Sequence, residues 1–158
     1  MVQITIEYMI MIPILLMQIF LFPLTAGWIM TTWTDSRQTL ALKETASHVG
    51  SSVHQVYSAL THESISASNV TNRLDVPPFI EGYAYNGSAS LRSPASDSKV
   101  LDITLTFIGG HIETTTSVTL GPNASWDTSS QFMSNSSYAS LIAEKQSDGT
   151  ILMSFEGE

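Results

Sequence analysis

Cysteine is absent from this chain, and basic residues are scarce. The 158 residues include no Cys and only 6 Lys and Arg together, against 14 Asp and Glu, which gives a formal net charge of −8. Without cysteine the chain can form neither a disulfide nor a thiolate metal site. It also lacks the basic footprint that a nucleic-acid binder needs, so we expect no nucleic-acid partner.

Motifs for catalysis and metal binding are missing as well. The four histidines do not share a chelating spacing; they are His48, His54, His62 and His111. The chain contains no His-x-x-x-His, no Gly-x-Ser-x-Gly and no phosphate-binding glycine loop. We therefore expect a protein that is not an enzyme and that carries no metal and no cofactor.

Charge is also absent from a long segment near the start of the chain. From Tyr8 to Thr34 no side chain is charged, and a single acid, Glu7, stands just before this run. As a helix the run would extend about 40 Å at ~1.5 Å per residue, which exceeds a hydrocarbon core of about 30 Å. One interpretation is a single transmembrane anchor. Because no basic residue precedes Arg37, we expect that a basic leader has been removed.

The helical pattern has two features that a plain anchor does not need. Pro13 and Pro23 each remove a backbone hydrogen bond and are expected to kink or loosen the helix. Beyond Asp35 the helix becomes amphipathic, with an apolar stripe at spacings of four and three residues. The stripe consists of Leu42, Ala46, Val49, Val53, Val56 and Leu60. This pattern predicts one helix over residues 1–62, in which Gly50 costs about 1 kcal/mol relative to alanine.

The first residues of this helix resemble a known family. The stretch Gln3-Ile4-Thr5-Ile6-Glu7-Tyr8 resembles the mature start of archaeal type IV pilins, whose class III signal peptide is cut so that a glutamate is the fifth residue. Counted from Gln3, Glu7 is the fifth residue. Pro13, six residues after Glu7, also matches the pattern of tight-adherence pseudopilins. The resemblance is close over residues 3–33 and loose over the rest of the helix, and Met1-Val2 departs from it.

The resemblance implies a structural subunit of an extracellular filament that serves in adhesion or surface attachment. In such filaments the apolar helices of identical subunits bundle, and the outer domains coat the fibre. Each subunit waits in the cell membrane until a prepilin peptidase and the pilus assembly machinery process and extrude it. An archaellum subunit, a minor pseudopilin and a single-span membrane-anchored extracytoplasmic binding protein remain open as alternatives.

The resemblance also suggests roles for individual residues. Glu7 would be buried in the helix bundle, paired with the N-terminal ammonium group of a neighbouring subunit that begins at Gln3. Because an unpaired buried carboxylate is costly, this pair would set the axial register of the subunits. Pro13 and Pro23 would allow the helix to loosen when it leaves the bilayer. These four residues are the candidate assembly residues.

The remainder of the chain predicts a β domain. Residues 63–78 are interpreted as a polar linker, and residues 79–158 as an antiparallel β domain. The predicted strands are 79–85, 100–107, 111–120, 138–145 and 150–155, with loops over 88–98 and around Trp126 and Phe132. We expect the apolar stripe of the helix to cover one face of these strands. The predicted fold class is α+β, with a long N-terminal helix packed on a small antiparallel β-sheet or sandwich.

Four sequons for N-glycosylation follow the apolar segment. Their asparagines are Asn69, Asn86, Asn123 and Asn135. The motif is short, so matches by chance are common in a chain rich in Asn, Ser and Thr. Four matches on one side of a membrane segment nevertheless favour glycosylation outside the cytoplasm. Together with a charged fraction of only 13%, they indicate an exported surface solvated mainly by hydroxyl groups.

Overall fold

The structure is a computed structural model that describes residues 2–65, 68–94 and 96–157, with side chains from residue 9 onward. The chain divides into two units, residues 1–37 and residues 38–158. A helix, α1 (Val2–Thr61), contributes its first part to the first unit and its second part to the second unit. The predicted long helix is therefore confirmed, and it ends one residue earlier than expected.

Eight strands follow the helix. They are β1 (Ser68–Arg73), β2 (Tyr85–Arg92), β3 (Lys99–Phe107), β4 (Glu113–Leu120), β5 (Ala124–Trp126), β6 (Gln131–Met133), β7 (Ser140–Lys145) and β8 (Ile151–Glu156). They form two four-stranded sheets in the orders β1-β7-β8-β5 and β4-β3-β2-β6. All neighbouring strands are antiparallel except β5 and β8, which are parallel. The α+β class is confirmed, and of the two expected forms, a small antiparallel sheet or a sandwich, the structure has two sheets, one of them mixed.

Both predicted hairpins are present. Strands β3 and β4 pair antiparallel from Lys99 opposite Leu120 to Thr106 opposite Glu113. Strands β7 and β8 pair across a turn in which Gly149 has a φ of 86°. These strands alternate between buried and less buried positions, which is why the period of two was visible in the sequence.

The interpretation of residues 63–78 as a linker is wrong in part, because this range contains β1. Strand β1 is an edge strand that pairs with β7 along its whole length. Its sequence, SNVTNR, has one apolar residue, Val70, and that side chain is exposed. A strand that is polar on both faces carries no hydrophobic alternation, so its backbone hydrogen bonds to β7 are what define it.

The strand predicted over residues 79–85 is also wrong. Only Ile80 and Tyr83 bridge each other there, and the strand itself, β2, begins at Tyr85 and runs into the predicted loop over 88–98. Gly87 is the reason for the error, because the pair Asn86-Gly87 resembles a turn. In the structure a Cβ at Gly87 would overlap the ring of Phe132. The glycine serves close packing between β2 and β6 and does not end a strand.

The core of the second unit lies between the helix and the two sheets. Every residue of the predicted stripe is buried, from Leu42 at 0% exposure to Val56 at 8%. The helix approaches β4 closely at Gly50, where a Cβ would lie 2.9 Å from Cγ2 of Val118. Phe155 packs edge-on against both Trp126 and Phe132, which places these two predicted loop residues in short strands of the core.

Candidate assembly surface

The first unit exposes an apolar surface that no described residue covers. Over residues 9–33, here called the apolar segment, the exposure of the large apolar side chains ranges from 51% at Leu16 to 77% at Met9. The most apolar window of α1 has a mean hydropathy of 2.2, and none of that window is buried. Within the described residues, α1 is the one helix that is long and apolar enough to cross a membrane.

The hydroxyl groups of the three threonines in the apolar segment are satisfied within the helix. The hydroxyl groups of Thr31 and Thr32 donate to the carbonyl groups of Gly27 and Trp28, both at 3.0 Å. Thr25 donates in the same way to Leu21 at 3.0 Å. Such bonds to the preceding turn remove the need for water at these hydroxyls. These three threonines are therefore compatible with an environment without water, whether lipid or other helices.

A shallow groove of about 520 Å³ follows one face of the apolar segment. It is lined by Phe22, Thr25, Ala26, Ile29, Met30 and Trp33. The spacing of three and four residues is that of one helix face, with small side chains between bulky ones. Such a groove accepts the ridge of side chains of a second helix. At its end the guanidinium group of Arg37 lies 4.8 Å from the centre of the Trp33 ring, a cation–π contact.

The four candidate assembly residues all lie in α1. Pro13 and Pro23 lie inside the helix, and the helical conformation continues through both. The side chains of Gln3 and Glu7 lie outside the described residues. The register role of Glu7 therefore stays a prediction.

The second unit contains a polar contact that the sequence did not reveal. The hydroxyl group of Tyr57 donates to Oδ1 of Asn123 and accepts the backbone N–H of Gly121 at 3.0 Å. Nδ2 of Asn123 donates to the carbonyl group of Gly149 at 3.1 Å. This network fastens α1 to the start of β5 and to the turn between β7 and β8. The residues Gly121-Pro122-Asn123 are typical of a turn, but no local pattern indicates that Tyr57 is their partner.

The four sequons differ in their surroundings. Asn69, on the edge strand β1, and Asn135, after β6, are exposed, and Asn86 on β2 is half-buried. Asn123 is half-buried, and the nitrogen to which a glycan would be attached already bonds to Gly149. Asn123 is therefore the least suitable of the four acceptors.

The ionisable groups of the second unit with shifted pKa values make local contacts. Asp102 on β3 accepts hydrogen bonds from Arg92 Nη2 at 3.0 Å and from the Ser117 hydroxyl group at 2.6 Å. The bond from Arg92, with a smaller effect from Ser117, lowers the pKa of Asp102 below its ordinary value. Burial raises the pKa of Tyr85, whose hydroxyl group donates to the carbonyl group of Pro77 at 2.7 Å. These are structural contacts.

A cleft of about 370 Å³ separates the second part of α1 from the segment before β2. It is lined by Ala41, Glu44, Thr45, His48, Asp75, Val76, Pro77 and Ile80. Although two acids and a histidine border it, no group of three His, Asp or Glu side chains in the described part of the chain is placed to hold a metal ion. Among the described residues, the apolar segment is thus the main candidate for a functional surface.

Comparison of the chain with protein-family models, with curated proteins and with solved structures finds no match. The resemblance to archaeal type IV pilins therefore depends on residues 3–33 of the chain itself.

Proposed function

We propose that the chain is a structural subunit of an extracellular, type IV pilus-like filament, used for adhesion or surface attachment. The observation that supports this function best is the exposure of the apolar segment. All of its large apolar side chains face outward, and the apolar surface surrounds the helix. Burying such a surface is strongly favourable, so a partner outside the chain must cover it in every stable state.

Lipid and identical subunits would cover this surface in turn. Before assembly the apolar segment lies in the cell membrane, which its length permits. During assembly lipid is replaced by the apolar segments of neighbouring copies, and the groove from Phe22 to Trp33 receives a ridge of a neighbouring helix. The second unit, whose own core is complete, remains outside the bundle. It carries the four sequons, of which Asn69 and Asn135 are the most accessible glycosylation candidates.

The test is electron microscopy of surface filaments combined with N-terminal sequencing of their subunit. We expect ordered fibres built from this chain, with a mature N-terminus at Gln3. A chain found only as a monomer in detergent, with its N-terminus unprocessed, would instead support the membrane-anchored binding protein and would rule out the filament.

A matched pair of variants separates groove packing from general hydrophobicity. Ala26→Leu fills the groove, whereas Leu24→Ile keeps the size and the apolar character of an exposed side chain. We expect Ala26→Leu to reduce the yield of filaments and Leu24→Ile to leave it unchanged. Both variants should still insert into membranes, because neither adds a charge.

A further inference from the structure

The second unit has an apolar tip at which three large side chains are exposed and lie outside the buried core. We define the tip as residues 79–84 together with residues 107–110. Phe79, Tyr83 and Ile108 are exposed at 54%, 52% and 45%. The two turns adjoin, because the backbone N–H of Ile108 donates to the carbonyl group of Ala84 at 2.9 Å. A group of large apolar side chains in water marks a surface that contacts something.

The tip is held in place by its own structure. Ile80 and Tyr83 exchange two backbone hydrogen bonds of 3.0 Å around a two-residue turn. Both turn residues are left-handed, with φ of 52° at Glu81 and 85° at Gly82. The ring of Tyr83 also packs 5.9 Å from the ring of Phe107. The exposed aromatic ring is thus fixed on a tight hairpin turn, so little conformational entropy is lost when it binds a surface.

The tip lies at the end of the second unit where α1 enters it. Helix residues Gly50 and Tyr57 lie against Val118 and Gly121, so α1 and β4 advance in the same direction. Seven helical residues and three extended residues both correspond to about 10 Å. By this scale Glu113, where β4 begins, is about 17 Å nearer to the start of the helix than Val118. That distance corresponds to about eleven helical residues, which is close to the first residue of the unit.

The residues that line the cleft beside the tip also place the tip at this end of the second unit. Pro77 and Ile80, at the base of the tip, face Ala41 and Thr45 across the cleft. These helix residues lie within the first turns of the second unit, which begins at Gln38.

The covalent chain keeps this end close to any membrane that holds the apolar segment. Gln38 is five positions along the chain from Trp33, the last large residue of that segment. Even a fully extended chain could span no more than about 18 Å between them. This limit holds for any arrangement of the two units. A tether of this length gives the tip a high effective concentration at the bilayer surface.

We propose that the apolar tip docks onto the headgroup interface of the bilayer in which the apolar segment is inserted before assembly. Tyrosine and other aromatic side chains favour this interface, because their rings are apolar and their edges polar. The tip contains Glu81 and no Lys or Arg, and the chain has a net charge of −8, so the fitting surface is neutral or zwitterionic lipid. The proposal depends on the membrane-inserted state of the proposed function.

Spin labelling tests this placement with the full chain, which has no native cysteine. Single variants Phe79→Cys and Ile108→Cys are labelled with a nitroxide and reconstituted in phosphatidylcholine vesicles. The matched control is Ser147→Cys, an exposed position in the turn between β7 and β8. We expect the labels at 79 and 108 to be several-fold less accessible to a water-soluble nickel chelate than the control, and more accessible to oxygen.

Each outcome has a defined meaning. Equal nickel accessibility at positions 79, 108 and 147 would overturn the docking of the tip while leaving the filament function intact. A fourth label, from Phe22→Cys, reports whether the apolar segment is inserted, and a water-exposed label there would overturn both. Protection at 79 and 108 in filaments but not in vesicles would assign the tip to contact with a neighbouring copy and would also overturn the proposal.

Discussion

The two parts of α1 differ in how their apolar side chains are covered. In residues 9–33 the large apolar side chains lie on all sides and are exposed. In residues 42–60 they form one stripe that is buried against the sheets. A helix with one apolar stripe needs one packing partner, and the β-sheets of the same chain provide it. A helix that is apolar on every side needs surroundings that the chain cannot supply, and this difference is the strongest indication of assembly or membrane insertion.

The largest expected effect concerns the first part of α1, near whose start Glu7 lies. Glu7→Ala should greatly reduce filament yield while the second unit remains folded, because the proposed pair between Glu7 and a neighbouring N-terminus would be lost. Filament counts by electron microscopy and circular dichroism of the isolated subunit would measure the two effects. Glu44→Ala, which removes an exposed acid from the second part of α1, is the control and should assemble normally. Normal filaments from Glu7→Ala would refute the register role.

Two leucines of the same helix make the comparison quantitative. Leu42 is completely buried and Leu24 is 71% exposed. Leu42→Ala should destabilise the second unit by about 2–5 kcal/mol, because it leaves a cavity in the core. Leu24→Ala should change the unfolding free energy of that unit by no more than about 0.5 kcal/mol. Urea denaturation in detergent measures both, and equal losses would mean that the two parts of the helix are not distinct.

The substitution Gly50→Ala distinguishes the effect of helix propensity on stability from the effect of packing. In an isolated helix Gly50→Ala would be favourable by about 1 kcal/mol. In this structure the new Cβ would lie 2.9 Å from Val118, so we expect a net loss of about 1–2 kcal/mol. A second change, Val118→Ala, should make Gly50→Ala less damaging than it is in the native background. A stabilised Gly50→Ala variant would show that α1 and β4 can move apart at little cost.

Loss of the hydrogen bonds made by Tyr57, near the C-terminal end of α1, should have a smaller effect on stability. Tyr57→Phe removes the hydroxyl group that contacts both Asn123 and Gly121. Loss of a hydrogen bond in a partly buried position costs about 1 kcal/mol, and slightly more if a group remains unpaired. Hydrogen exchange at the amide of Gly121 should accelerate, while exchange in the middle of β3 should not change. Unchanged exchange at Gly121 would indicate that water replaces the hydroxyl group without loss.

The smallest expected effect on stability concerns Asp102, which lies on strand β3 and not on α1. Because Arg92 and Ser117 lower the pKa of Asp102, its carboxylate stabilises the fold above the unfolded pKa of about 4, and this contribution is lost as the pH falls through the lower folded value. The contribution should be no more than about 1 kcal/mol, since the ion pair lies at the surface. Asp102→Asn should therefore reduce the loss of stability as the pH falls below about 4, measured by urea denaturation.

Some elements were predictable because their signal is local. The stripe from Leu42 to Leu60 and the hairpin of β3 and β4 both repeat over many residues, and both are confirmed. Strand β1 was missed because its side chains are polar on both faces. Strand β2 was misplaced because Gly87 resembles a turn residue, whereas its real role is to leave room for Phe132. For the candidate site, the apolar segment was found from the sequence, but the groove along it was not.

Local sequence patterns alone predict the apolar segment, the stripe and the main hairpins. Their periods follow from the covalent geometry of helices and strands, which any stretch of sequence displays. Three features depend on tertiary packing. They are the parallel pairing of β5 with β8, the hydrogen bond between Tyr57 and Asn123, and the adjacent turns of the apolar tip. Each of these joins residues that are distant along the chain, so it depends on how complete elements pack. No local pattern of residue types encodes that packing.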